Sequence, residues 1–206
     1  VTPMLPDGAI DKEGLATLIE YHIQSGTAAL GIAGTTGESA TLTMVEHIDI
    51  IQFAVEQAAG RIPVVAGTGS NSTHEAIELT VAAAAAGAEY SLLVTPYYNK
   101  PPQEGLYRHF CQVAAAVNIP IILYNVPSRT GVDLSSETVL RLSEVGNIAG
   151  LKDATGDVER GGALIAKLPD TFGVYSGDDA TALDLMCRGG RGNVSVTANV
   201  AAAKVA

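Results

Sequence analysis

The sequence predicts an α/β fold, a closed (β/α)8 barrel, on three observations. Short, mostly apolar runs alternate with amphipathic segments, most runs are apolar on both faces, and polar residues gather at or just after nearly every run's end. The runs are Ala29–Ala33, Ile62–Ala66, Tyr90–Val94, Ile119–Tyr124, Ile148–Lys152, Phe172–Ser176 and Gly192–Val196. Their starts lie 20 to 33 residues apart, which leaves room for a crossover helix and so implies parallel strands. Strands apolar on both faces need helices on both, in a doubly wound sheet or a barrel. The polar residues decide between the two. Thr35, Thr36, Tyr97, Tyr98, Tyr124, Asn125, Lys152, Asp153, Ser176 and Asp178 fall at the ends of different strands. A doubly wound sheet concentrates its site at one switch point, whereas a barrel draws on many strand ends.

The intervening segments read as helices. Leu15, Leu18, Ile19 and Ile23 form one stripe, and Ile48, Ile51 and Val55 another. Asp11 is placed as an N-cap, and Thr43 with Glu46 and Ser72 with Glu75 as capping boxes. Gly26, Gly60 and Gly87 stand where helices should stop. A barrel of this kind needs roughly 250 residues. The expectation is therefore that 1–206 is a partial catalytic barrel domain, with Val1-Thr2-Pro3 as the end of a truncated first strand and the last helix missing.

Hydrophobic residues make up 47% of the chain and charged ones 17%, the opposite of a disordered composition. A net charge of −10 argues against nucleic acid and anionic membranes as partners. No apolar run is long enough for a membrane span, and no secretory signal opens the chain. Cys111 and Cys187 stand singly in helical patterns, without zinc-ligand or disulfide spacing, which suits a reducing, cytoplasmic compartment.

Of the five lysines, Lys12, Lys100, Lys167 and Lys204 fall in loops or on helices. Lys152 ends an apolar strand, where the period of two puts it on one face with Ile148 and Gly150. Burial there disfavours the ammonium, and the neutral amine is the form that attacks a carbonyl. The competing role is a buried ion pair with Asp153, which alternates to the opposite face. On the preceding strand Ile122 and Tyr124 share a face, so the Tyr124 phenol can reach the same mouth and shuttle protons, or can simply pack. Gly34-Thr35-Thr36-Gly37 offers hydroxyls and a backbone nest for a carboxylate. Gly67-Thr68-Gly69-Ser70 lacks a P-loop lysine and reads as a plain turn. Asp178 and Asp179 after the seventh strand would repel a phosphate, and His22, His47, His74 and His109 all fall in helices, away from any metal cluster at the strand ends.

Five ordered motifs complete the reading: Gly34-Thr-Thr-Gly-Glu-Ser-Ala-Thr-Leu42, Val94-Thr-Pro-Tyr-Tyr-Asn-Lys-Pro101, Tyr124-Asn-Val-Pro-Ser-Arg-Thr-Gly131, Gly150-Leu-Lys-Asp-Ala-Thr155 and Ser176-Gly-Asp-Asp179. With them the chain resembles the pyruvate-dependent class I lyase family, in its dipicolinate-forming branch. The resemblance implies a lyase with no cofactor beyond a covalent lysine imine. Pyruvate condenses with Lys152, and the derived enamine attacks L-aspartate 4-semialdehyde to give 4-hydroxy-tetrahydrodipicolinate, on the route to diaminopimelate and lysine. Tyr124 matches the proton donor and acceptor. Thr35 and Tyr98 match its relay, with Tyr98 supplied by a neighbouring subunit of a homodimer or homotetramer. Thr36, Gly177 and the backbone of Val194 match pyruvate contacts, and Arg129 receives the semialdehyde carboxylate. A helical C-terminal extension of the family has no counterpart in 1–206.

The same resemblance implies an L-lysine inhibitor site at Ser39, Ala40, His47, Asn71, Glu75 and Tyr97, with Met44 where sensitive members often carry a histidine. Two rival functions differ in kind. N-acetylneuraminate lyase and 2-keto-3-deoxy sugar acid aldolases share the lysine and tyrosine, but Arg129 and the doubled Tyr97-Tyr98 favour the dipicolinate branch. A non-catalytic keto-acid-binding barrel would dispense with at least one of Lys152, Tyr124, Thr35 and Tyr98.

Overall fold

The computed structural model of the chain describes residues 1–206 throughout. Seven strands form one parallel sheet in chain order: β1 (Leu30–Ile32), β2 (Val64–Gly67), β3 (Tyr90–Val94), β4 (Ile121–Asn125), β5 (Ile148–Asp153), β6 (Gly173–Ser176) and β7 (Gly192–Asn193). The helices are α1 (Lys12–Gln24), α2 (Met44–Ala58), α3 (Thr73–Ala86), α4 (Gln103–Ala116), α5 (Pro127–Thr130), α6 (Ser136–Leu142), α7 (Val158–Ile165), α8 (Ala182–Cys187) and α9 (Ala198–Val205). Strand order never reverses, so there is no switch point and the doubly wound alternative falls. The sheet curls instead. Its two ends meet through helices: the Tyr21 hydroxyl of α1 accepts from the Ala202 amide of α9 at 2.9 Å, and the Val1 ammonium donates to Asn199 Oδ1 at 2.7 Å. No ladder joins β1 to β7.

Apolar residues form layers between the sheet and its helices. One joins Leu93, Leu106, Phe110, Ile121, Leu123 and Leu151, and another Leu15, Ile19, Ile32, Ile50, Ile51 and Val64. A small inner cluster of Leu92, Tyr124 and Val126 lies on the concave side. The caps follow the sequence in part. The Asp11 side chain accepts from the Gly14 amide, and Thr43 with Glu46 forms a reciprocal box. Ser72 accepts from the Glu75 amide, but the Glu75 carboxylate turns to the Ser70 hydroxyl at 3.0 Å, so only half of that box exists. On α2 the buried face is His47, Ile50, Ile51, Ala54 and Ala58, one step around from the expected Ile48 and Val55.

Strand limits moved for local reasons. Pro63 and Pro120 have no N–H to give the ladder, so β2 and β4 begin after them. Ala33, at φ 55, ends β1 one residue early. Val1–Pro3 pairs with no strand; the Thr2 hydroxyl instead donates to the Gly37 carbonyl at 2.7 Å. β7 is short because the amides of Val196 and Thr197 turn to the Asp179 carboxylate. A β-bulge on β5 skips Ala149, so Ile121 pairs with Ile148 but Ile122 with Gly150. The expected shared face of Ile148 and Lys152 is therefore corrected: Ile148 lies with Leu151 in the layer under the helices, and Lys152 faces inward. No helix is long and apolar enough to cross a membrane.

Candidate active site

The last inward-facing positions of β4 and β5 are occupied by Tyr124 and Lys152, which are register partners. Lys152 Nζ lies 4.1 Å from the Tyr124 ring centroid. Burial lowers the Lys152 pKa from 10.5 to about 8; the Asp179 carboxylate opposes that shift and the Arg129 guanidinium adds to it. Burial raises the Tyr124 phenol above 10, partly offset by the neighbouring Thr35 hydroxyl and by the charge of Arg129. Near neutral pH the pair is thus a partly deprotonated amine beside a protonated phenol, suited to attack on a carbonyl with proton transfer at hand.

A cavity of about 260 Å³ opens over this pair. Thr35, Thr36, Arg129 and Gly177 line it with Tyr124 and Lys152. In the Gly34–Ser39 loop the amides of Gly37 and Glu38 turn back to the Gly34 and Thr35 carbonyls. Thr35 and Thr36 bring two hydroxyls from this short loop to the cavity wall, where they can donate to a carboxylate. Arg129 sits on the one-turn helix α5, started by Pro127 and ended by Gly131 at φ 72. Its side chain is exposed at the cavity mouth and forms no ion pair within the chain.

Other expected site residues fall elsewhere. Tyr98 is 89% exposed, with φ 74, and does not line the cavity of its own chain. The Val194 N–H is used by the sheet, donating to the Ser176 carbonyl at 2.8 Å, and the wall at that point is Val196. Asn125, Asp153 and Ser176 end strands but point away from the cavity, because side chains alternate. They fasten loops: Asn125 Nδ2 donates to Asp133 Oδ1 at 2.8 Å, Asp153 accepts from the Thr155 amide at 3.0 Å, and the Ser176 hydroxyl donates to the Asp178 carbonyl at 2.8 Å. The opposite face of Asp153 also removes it as an ion partner of Lys152.

The lining residues missed in the sequence are Ser128, Val126, Ala154, Thr155, Gly156, Asp178 and Val196. Asp178 and Thr155 lie inside quoted motifs and could have been included; Val196 carries no chemical signal. The four histidines lie in α1 to α4, and no three His, Cys, Asp or Glu side chains converge as metal ligands.

A second, small cavity of about 60 Å³ is lined by Ser39, Ala40, His47, Glu75 and Tyr97, with Leu42, Met44, Gly69 and Leu79. Asn71, expected among them, is not in the lining. His47 Nε2 is 2.6 Å from the Gly67 carbonyl, and burial lowers its pKa, so it acts as a neutral donor to the backbone.

Comparison with known proteins agrees with this geometry. The model of the dihydrodipicolinate synthetase family matches residues 1–206. The chain is 59% identical to the 4-hydroxy-tetrahydrodipicolinate synthase of Pseudomonas savastanoi pv. phaseolicola, covering 98% of this chain and 69% of that protein. It is also 59% identical to that of Thioalkalivibrio sulfidiphilus, covering 100% and 70%. Among solved structures, the chloride-inhibited dihydrodipicolinate synthase of Acinetobacter baumannii complexed with pyruvate superposes with a TM-score of 0.98 at 58% identity, over 100% of this chain and 70% of that one. A lysine-bound relative from Cyanidioschyzon merolae gives 0.96 at 41%, over 100% and 70%. The chain belongs to the dihydrodipicolinate synthetase family.

Proposed function

We propose that the chain condenses pyruvate with L-aspartate 4-semialdehyde to 4-hydroxy-tetrahydrodipicolinate, in lysine and diaminopimelate biosynthesis. The observation that carries this is the Lys152 amine, lowered to about 8, set over the Tyr124 ring in one cavity with Thr35, Thr36 and Arg129. The neutral amine adds to the C2 carbonyl of pyruvate, and loss of water gives the imine. Loss of a C3 proton gives the enamine, whose C3 attacks the semialdehyde carbonyl; the new alkoxide takes up a proton. The substrate amine then displaces Lys152 from C2, closing the ring and freeing the enzyme amine. Tyr124 moves the protons at C2 and C3, with the Thr35 hydroxyl beside it in the same cavity. The Thr35–Thr36 loop receives the pyruvate carboxylate, and Arg129 at the mouth the semialdehyde carboxylate, as a guanidinium fork suits.

The exposure of Tyr98 supports its being lent to a neighbouring subunit, as in a homodimer or homotetramer. The second cavity is the candidate site for L-lysine as inhibitor. The test is substrate choice by the full-length protein: pyruvate with the semialdehyde should turn over, and pyruvate with N-acetylmannosamine should not. Preference for the sugar would move the chain to the sister aldolases, and no turnover with either would favour a binding protein.

A further inference from the structure

Of the two aspartates after Gly177, Asp178 lines the cavity and Asp179 does not. The Asp179 carboxylate is nonetheless the better connected. Its Oδ1 accepts from Asn193 Nδ2 at 2.7 Å. Its Oδ2 accepts from the Val196 amide at 3.1 Å, the Thr197 amide at 2.9 Å and the Thr197 hydroxyl at 2.8 Å. No Lys or Arg pairs with it. All four donors belong to the single stretch that leaves β7 and enters α9.

That stretch has little else to hold it. β7 has two residues, and beyond it the ladder adds only the Val194 amide to the Ser176 carbonyl. Thr197 stands at the N-cap of α9 but makes no side-chain cap of its own. The Ser195 hydroxyl instead accepts from the first-turn Ala198 amide at 2.9 Å, while Asp179, 18 residues before Thr197, takes the Val196 and Thr197 amides just ahead of the helix. Between these anchor points lies Val196, a wall of the Lys152 cavity.

Resting on the pyruvate reading above, we propose that Asp179 is a positioning residue for the first substrate, clamping the 194–197 segment so that Val196 closes the cavity beside Lys152. Its negative charge has a second effect at the amine. Lys152 is faced by the Arg129 guanidinium and the Tyr124 phenol, with the Asp178 carboxylate in the same cavity wall, and Asp179 is the carboxylate that most supports its protonated form. Although partial burial works against its ionisation, the polar groups of Ser195, Thr197 and Asn193 around it hold Asp179 well below the usual carboxylate range, so it stays charged wherever the amine titrates.

Two variants of the full-length protein separate the clamp from the charge. Asp179→Asn should raise the KM for pyruvate roughly tenfold or more, since an amide cannot accept from all of these donors. The Lys152 adduct should still form with borohydride at saturating pyruvate, and the pH midpoint of imine formation should move down. Thr197→Val removes one donor and no charge; it should raise the KM by a smaller factor and leave the midpoint in place. An unchanged KM in both variants overturns the proposal. So does a fall in kcat and melting temperature with KM and midpoint unmoved, which is the signature of a merely structural residue. Absence of any Lys152 adduct in the unaltered protein would instead overturn the underlying pyruvate reading, and this proposal with it.

Discussion

Gly177 leaves the space through which Lys152 reaches the cavity: a Cβ built on it would lie 2.8 Å from Lys152 Cε, 3.2 Å from Lys152 Cγ and 2.8 Å from Ala154 Cβ. Real Cβ atoms do not approach that closely, and the lysine stem is the part free to yield. Gly177→Ala is therefore expected to push the amine off the Tyr124 ring and slow imine formation at least tenfold, at a stability cost of about 1–3 kcal/mol for overpacking. Single-turnover adduct formation with pyruvate, set beside a thermal melt, checks this; an unaffected rate would mean the stem has another path.

Lys152 should announce its lowered pKa in the pH profile. With a pKa of about 8 rather than 10.5, roughly a tenth of the amine is neutral at pH 7, against about one part in 3,000. Imine formation should rise with pH and level off above about 8. The same shift has a stability consequence. The folded state disfavours the ammonium, so its destabilising effect is complete below about pH 8 and is relieved between there and 10.5. A rate still climbing at pH 10 would show that the amine is not depressed.

Arg129 meets only the second substrate in this account. Arg129→Ala should leave pyruvate trapping within a few-fold of normal and cost about 1.5–3 kcal/mol in semialdehyde use, some ten- to a hundredfold in kcat/KM. Equal losses in both would make it a structural residue of the Pro127–Thr130 turn.

The second cavity makes a separate prediction. Glu75 lines it beside Tyr97, and its carboxylate has only the Ser70 hydroxyl as side-chain partner, which leaves capacity for an ammonium. Calorimetry should detect L-lysine, with partial inhibition, and Glu75→Ala should weaken it roughly tenfold. Unchanged affinity in the variant would leave Glu75 to the start of α3.

What could be read in advance was periodic or local. β3 was legible residue for residue, and Tyr124 and Lys152 were placed on one cavity from strand alternation. The bulge at Ala149 was not legible, since no residue there announces it, and it reversed the side assigned to Ile148. Asp179 was read as a charge that repels phosphate; its loop-clamping role depends on partners 14 to 18 residues on, beyond any local pattern. Closure of the curl through Val1 and Asn199, 198 residues apart, lies further still from what periodicity reports.

The covalent role of Lys152 is the centre of the account, and borohydride reduction of the full-length protein with pyruvate tests it most directly. Peptide mapping should find one reduced pyruvyl adduct per chain, on Lys152, and none in Lys152→Arg. An adduct on Lys12, Lys100, Lys167 or Lys204, or turnover with no adduct at all, would contradict it.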